Sequence, residues 1–197
     1  MVNVKEKLEQ THGVVTGIQL NTIDLDPQSI KAIMINEVVP HDPADDFYGQ
    51  PDADYMKTTI PLFQQAGIAV NSIVDILAMG IYITNAVKTP KSDYTVEKEA
   101  LLESLPYLKT ELSLFPNLKV VMLMGDVAKR AFNMIHKKQN RKNIVPSTAT
   151  YKIRHNEIHF QDKRIMPSYI MTGKNILIEK SKFQMVVEDI ENMVKLI

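Results

Sequence analysis

Residues 29–36, which read Ser-Ile-Lys-Ala-Ile-Met-Ile-Asn, decide the fold class because a turn-rich segment follows this short apolar run. Such a run is typical of a strand that is buried on both faces of a sheet. Two further apolar runs, at 81–84 and 118–124, repeat the pattern, and segments with helical spacing separate them. Strands that alternate with helices predict a parallel sheet with helices on both faces. We therefore expect an α/β fold of three layers, α/β/α, around a central, mainly parallel sheet of four strands.

Helices are predicted where apolar residues recur every three to four positions or where a start signal precedes such a run. Pro61 is expected in the first turn of its helix, and Gln161-Asp162 is expected at the turn of a β-hairpin. The segment 85–93 is predicted to be a loop. The predicted helices are 58–66, 72–79, 95–115, 127–136 and 181–197, and the predicted hairpin strands are 151–160 and 163–165.

The chain has 197 residues, 23 basic and 23 acidic residues, and no cysteine. This length fits one domain, which we predict over residues 1–197. The lack of cysteine excludes disulfides, thiolate metal sites and cysteine-held iron–sulfur clusters. No apolar run approaches the about 20 residues that a membrane helix needs. We therefore expect a cytoplasmic protein with no cofactor, no metal, no iron–sulfur cluster and no membrane partner. The oligomeric state stays open.

Charge is unevenly distributed along the chain. The segment 129–164 contains ten Lys or Arg residues and only two acidic residues, whereas 37–54 contains six acidic residues and no Lys or Arg. A basic segment of this kind can follow a phosphate backbone, although it is also common as a solvated surface. The candidate nucleic-acid contacts are Lys137, Lys138, Arg141 and Lys142.

The predicted strand order also locates a candidate pocket. In parallel α/β sheets, sites form beyond the carboxyl ends of the strands. Four segments leave the predicted strands at those ends: 36–38, 85–87, 125–126 and 166–168. A pocket at this edge would contain Glu37, Asn85 and Ser168.

Five short motifs follow one another at the expected strand ends. Together they resemble the uracil-DNA glycosylase superfamily, and most closely the branch whose first motif is G-E-A-P-G. The motifs are Ile35-Asn36-Glu37-Val38-Val39-Pro40, Asp46-Phe47-Tyr48-Gly49, Ile83-Thr84-Asn85-Ala86-Val87-Lys88, residues 120–131 with Gly125, and Met166-Pro167-Ser168-Tyr169.

The resemblance implies a role for each matched residue. Glu37 would orient water or stabilise the cationic sugar, tasks that suit a carboxylate. Phe47 would stack on the extruded base, and Asn85 would read the pyrimidine edge through its amide donor and acceptor. Met166 and Ser168 would complete the base-binding pocket. The implied partner is DNA that contains uracil or a damaged base.

Departures from the family pattern point to weak or altered activity. Met166 stands where the family has a histidine, and a thioether cannot donate a hydrogen bond to the leaving base. By analogy with an oxyanion-hole donor, this loss lowers the rate by about 10²–10³-fold. Asn36 and Pro40 also replace the glycines of the first motif, and the cluster cysteines of that branch are absent.

Three functions remain open from the sequence. The first is a DNA glycosylase that hydrolyses the N-glycosidic bond of uracil or a related damaged base. The second is a catalytically inactive protein that binds a nucleobase or nucleic acid on the same fold. The third is a hydrolase that acts on another small substrate through the acidic segment 37–54.

Overall fold

The structure is a computed structural model that describes residues 1–92, 94–137 and 139–197. Its strands are β1 Val2–Asn3, β2 Asp24–Leu25, β3 Ala32–Val38, β4 Ile81–Val87, β5 Val120–Met124, β6 Ile158–Phe160 and β7 Lys163–Ser168. Its α-helices are α1 Val4–His12, α2 Asp54–Gln65, α3 Ile73–Ala78, α4 Lys98–Ser113, α5 Asp126–His136, α6 Thr150–Ile153, α7 Asn175–Ile178 and α8 Lys180–Val194.

The central sheet has five strands in the order β4-β3-β5-β7-β6, and β1 pairs with β2 separately. The strands β4, β3, β5 and β7 run parallel to one another, while β6 pairs antiparallel with β7. The mainly parallel sheet is thus confirmed. The fifth strand is the first arm of the predicted hairpin, whose turn contains Gln161 at a φ of 55°.

Two apolar clusters pack against the opposite faces of this sheet and give three layers. One cluster joins β-sheet residues to α1, α4 and α5, and the other joins them to α2 and α8. Side chains alternate between the two faces along each strand. In β3, for example, Ile33 and Ile35 belong to the first cluster, whereas Ala32 and Met34 belong to the second. The predicted α/β/α layering is therefore confirmed.

Several observed boundaries differ from the predictions, including those of β4, α2, α4 and the predicted first hairpin strand. β4 continues to Val87, so Asn85 lies inside a strand and not in a loop, because its backbone is paired with β3. α2 begins at Asp54, which places Pro61 in the interior of the helix. α4 begins at Lys98, later than the predicted start at 95.

The fourth difference is α6, where the first hairpin strand was expected. A single helical turn forms there because two contacts fix its ends. Lys129 Nζ donates to Thr150 Oγ1 over 3.0 Å, and the buried Arg154 pairs with Asp189 of α8 over 2.9 Å. The observed hairpin strand is therefore only three residues long. Within the described ranges, no helix is both long and apolar enough to span a membrane.

Candidate active site

Glu37 lies at the carboxyl edge of the sheet, one residue before the end of β3. Its side chain is on the face covered by α5, and its Oε1 accepts a hydrogen bond of 3.1 Å from the Val127 N–H. Gly125 has a φ of 103°, and a Cβ there would overlap the Glu37 carboxylate. A glycine at position 125 therefore permits this close approach.

Burial and nearby groups shift the pKa of the Glu37 carboxyl upward. Burial raises the pKa of the Glu37 carboxyl above its ordinary value, and the charge of Asp126 raises it further. The hydrogen bond from Val127 and the charge of Lys91 act in the opposite direction. Because the residue is only half-buried, the carboxylate can meet water. A carboxyl with a raised pKa and access to water is suited to general acid–base chemistry.

Asn85 lies in a buried chain of four hydrogen-bonded side chains, on the opposite face of the sheet from Glu37. It is paired in register with Asn36, whose Nδ2 donates to Asn85 Oδ1 over 2.9 Å. Asn85 Nδ2 donates to both carboxylate oxygens of Asp46, at 2.9 and 3.0 Å. Thr172 Oγ1 donates to Asn36 Oδ1 over 3.2 Å and ends the chain. Both sides of the Asn85 amide are therefore occupied by protein groups.

Asp46 is the buried anion of this chain. Burial raises the pKa of its carboxyl, while hydrogen bonds from the Phe47 N–H and from Asn85, together with the charge of Lys88, lower it. The Phe47 N–H lies 2.8 Å from Asp46 Oδ1. Asp46 thus holds the base-reading candidate Asn85 and fixes the backbone of the stacking candidate Phe47.

Phe47 is packed inside the protein. Its side chain is 1% exposed and belongs to the apolar cluster beneath α2 and α8. Its ring centroid lies 5.2 Å from that of Tyr55, whose hydroxyl donates to the Val38 carbonyl over 2.6 Å. In this conformation the ring face is covered, so stacking on a base requires the segment that carries Phe47 to move.

Met166 lies within β7 and not beyond its end. It pairs in register with Met122 of β5 and is 5% exposed. Its side chain belongs to the same apolar cluster as Phe47. Its contact with a base therefore stays a prediction, and the structure shows it as a core residue. The segment that leaves β7 toward the site begins at Tyr169, and Thr172 is the residue from it that reaches Asn36.

Ser168 ends β7 and is fully buried. Its hydroxyl donates to Asp189 Oδ2 over 2.6 Å, and its carbonyl accepts from the Gly125 N–H over 3.0 Å. Asp189 in turn pairs with Arg154. These contacts attach the end of β7 to α8 and to the start of α5. In this structure Ser168 supports the edge of the sheet through internal partners.

Three of the four basic candidates lie at the carboxyl end of α5 and just beyond it. Lys137, Arg141 and Lys142 are exposed, and Lys138 lies outside the described residues. A groove of about 520 Å³ runs along α5 and ends near its first turn. That first turn also holds Glu37, through Val127. The groove therefore ends beside the helix turn whose N–H bonds Glu37, whereas Asn85 and Phe47 lie on the other face of the sheet.

Three residues of the site were missed at the level of sequence: Asn36, Asp46 and Thr172. The sequence places Asn36 in the first motif and Asp46 in the second motif and in an acidic segment, but it assigns neither residue a contact with Asn85. The signal for Asn36 was its polarity inside an apolar strand. No local signal identifies the contact between Thr172 and Asn36, because the two residues are 136 positions apart.

A known family model matches the part of the chain that contains this site. The family model of the Uracil DNA glycosylase superfamily matches residues 33–190, which include the ends of β3, β4, β5 and β7. The chain belongs to the uracil DNA glycosylase superfamily. A search of curated protein sequences finds no match. The three-layer α/β/α arrangement is thus a uracil-DNA glycosylase-like fold.

Proposed function

We propose that this protein hydrolyses the N-glycosidic bond of uracil or a related damaged base in DNA, with weak or altered activity, as a single domain over residues 1–197. The observation that carries the proposal is the half-buried carboxylate of Glu37 beside the first turn of α5. It occupies the first-motif position in a chain that belongs to the uracil DNA glycosylase superfamily.

Glu37 is the proposed catalytic residue. Its carboxylate would orient the attacking water or stabilise the positive charge that develops on the sugar. The Val127 N–H fixes one carboxylate oxygen, which leaves the other for water or the sugar. DNA would approach from the α5 side, where Lys137, Arg141 and Lys142 are exposed. Cations of this kind attract the phosphate backbone without reading its sequence.

Weak activity on uracil is expected because Asn85 and Phe47 are held by contacts inside the protein. Asn85 reads a base only if it breaks its bonds to Asp46 and Asn36. Phe47 stacks only after it leaves the core. Met166 is a core residue of β7, so position 166 supplies no donor to the leaving base. Base binding therefore requires the segment that carries Asp46 and Phe47 to rearrange, which lowers the apparent affinity by the fraction of open protein.

The formation of abasic sites in uracil-containing DNA tests the proposal. We expect slow excision from a uracil oligonucleotide, none from the same oligonucleotide with thymine, and a loss of about 10²–10⁴-fold in Glu37→Gln. Glu103→Gln, an exposed substitution on α4, is the matched control and keeps the wild-type rate. Excision that persists in Glu37→Gln would overturn the role of this carboxylate.

The buried hydrogen-bond chain favours a second candidate, a protein that binds a nucleobase or nucleic acid without cleaving it. In this case the wild type forms no abasic sites on uracil or on other damaged bases, yet binds the damaged oligonucleotide more tightly than the undamaged one. The two candidates are separated by measuring excision and binding on the same oligonucleotides.

A further inference from the structure

The groove beside α5 has one wall of helix and one wall of irregular chain. The helix contributes Asp126, Lys129, Arg130 and Lys137, and the facing segment 143–149 contributes Ser147 and Thr148. Its volume of about 520 Å³ is in the range of ligand-binding pockets.

The two walls are held at a fixed separation. Asn133 Nδ2 donates to the Val145 carbonyl over 2.9 Å, and Asn133 Oδ1 accepts from the Val145 N–H over 3.0 Å. The Val145 side chain is fully buried and anchors the facing segment. At the other end, Lys129 Nζ donates to Thr150 Oγ1 over 3.0 Å. The groove is therefore formed before any ligand binds.

The charge of the groove is positive. Lys129 is largely buried and pairs with Asp126 over 2.6 Å, so this lysine offsets the carboxylate that lines the groove. Arg130 and Lys137 are exposed and supply further positive charge. Arg and Lys, together with Ser and Thr hydroxyls, are the groups that proteins commonly direct at phosphate oxygens.

We propose that this groove binds the phosphodiester backbone of the DNA strand next to the reacting nucleotide. The inference rests on the proposed function, since it takes the Glu37 edge as the place of reaction. Arg130 and Lys137 contact successive phosphates, and the hydroxyls of Ser147 and Thr148 bind phosphate oxygens from the opposite wall. The hydrogen bonds between Asn133 and Val145 make the groove rigid, so that it positions the strand toward the first turn of α5.

The salt dependence of binding to an undamaged oligonucleotide tests the groove without any need for catalysis. Removal of one phosphate-binding cation reduces the slope of log K against log salt by about 0.7 to 0.9. We expect this reduction in Arg130→Ala and in Lys137→Ala. The matched control, Lys7→Ala, removes an exposed lysine on α1 outside the groove and leaves the slope unchanged. Equal slopes in the wild type and all three variants would overturn the proposal.

A charge introduced on the facing wall gives a second test. Ser147 is exposed, so Ser147→Glu places a carboxylate in the groove with little effect on folding. We expect DNA binding to weaken about tenfold or more at low salt, because like charges approach closely there. Ser181→Glu adds the same charge to an exposed position of α8 and is the control. Equal binding by the two Glu variants would contradict the proposed path of the strand.

These outcomes separate the groove from the proposed function. Changed salt slopes without any abasic sites would support the groove and refute catalysis by Glu37. Excision that depends on Glu37 with unchanged salt slopes would support catalysis and refute the groove. A thermal unfolding curve for each variant confirms that the altered protein is folded before binding is compared.

Discussion

The carboxyl edge of the sheet carries two polar arrangements that differ in their access to solvent. On the α5 face, Glu37 is half-buried and receives a backbone hydrogen bond from Val127. On the α2 and α8 face, Asn85 is 1% exposed and both ends of its amide are bonded. On the α5 face a carboxylate is partly accessible, whereas on the other face the group expected to read the base is buried.

Under the proposed function, this difference predicts that recognition of the base limits the reaction. In the proposed function, the Glu37 carboxylate would act without rearrangement, whereas reading a base would require Asn85 and Phe47 to exchange internal contacts for contacts with that base. The exchange involves a buried carboxylate, Asp46, which loses two hydrogen bonds from Asn85 when the amide turns away. Variants that change the buried contacts of Asn85 should therefore affect the free energy of unfolding and base recognition more than they affect the carboxylate of Glu37.

The largest expected effect comes from the ion pair behind Asn85. Lys88 Nζ lies 2.6 Å from Glu111 Oε2, and both side chains are almost fully buried. Lys88→Met leaves the carboxylate without its partner, so we expect the free energy of unfolding to fall by about 3–5 kcal/mol. Urea denaturation measures this loss.

The double variant Lys88→Met/Glu111→Leu is the control for this prediction. It removes both charges and should be more stable than Lys88→Met alone, since no charge of this pair is left buried and unpaired. A single variant as stable as the wild type would mean that the pair does not hold β4, and with it Asn85, in place.

Removal of the Asp46 carboxylate takes away the acceptor of the Asn85 amide and so disrupts the buried hydrogen-bond chain directly. Asp46→Ala leaves the Asn85 amide without its acceptor in a buried site, so we expect a loss of about 1–3 kcal/mol in the free energy of unfolding. Chemical denaturation compares this variant with Asp52→Ala, an exposed change in the same acidic segment that should have little effect. If the two variants are equally stable, the chain of hydrogen bonds does not contribute to the fold.

Met166→His distinguishes a core position from a pocket position. The sequence pattern predicts that histidine here restores a donor and raises uracil excision by about 10–10³-fold. Because Met166 lies in the apolar cluster within β7, we now expect no gain in rate and a loss of about 1–3 kcal/mol in stability. Met166→Leu, which keeps the residue apolar, is the control. A faster reaction in the histidine variant would show that position 166 reaches the base.

The smallest expected effect is a dependence of stability on pH. Burial raises the pKa of the Asp46 carboxyl above its ordinary value of 3.8. A carboxyl whose pKa is raised on folding contributes its full stability below the unfolded pKa and loses it as pH rises through the folded pKa. Wild type should therefore lose stability relative to Asp46→Asn as pH rises above 3.8.

Urea denaturation across this pH range checks the prediction for Asp46, with Asp52→Asn as the control. Glu37 should act in the same direction, since burial also raises the pKa of its carboxyl above 4.5. A difference between wild type and Asp46→Asn that stays constant with pH would mean that Asp46 has the same pKa in the folded and unfolded chain.

Local pattern was sufficient for most of the scaffold. The buried strands β3 and β5 and the helices α3 and α5 were predicted within three residues of their observed ends. Ser72 is the N-cap of α3: its Oγ accepts from the Asp75 N–H, and its own N–H donates to the Asp75 carboxylate, a start signal that is local in sequence. Position 85 was mispredicted as loop because an Asn is more common in turns than in buried strands.

The sequence by itself determined the α/β class, the succession of superfamily motifs and the edge of the sheet where they lie. These features depend on residues close together in the chain, on apolar periodicity and on the rule that parallel strands end at one edge. The tertiary structure alone decided that Glu37 faces α5 while Asn85 faces Asp46, and that Phe47 and Met166 are core residues. Those assignments depend on hydrogen bonds and packing between residues far apart in sequence, such as Asn85 with Asp46 and Thr172 with Asn36. No local pattern records such partners, because a buried amide is satisfied by whichever group the fold brings to it.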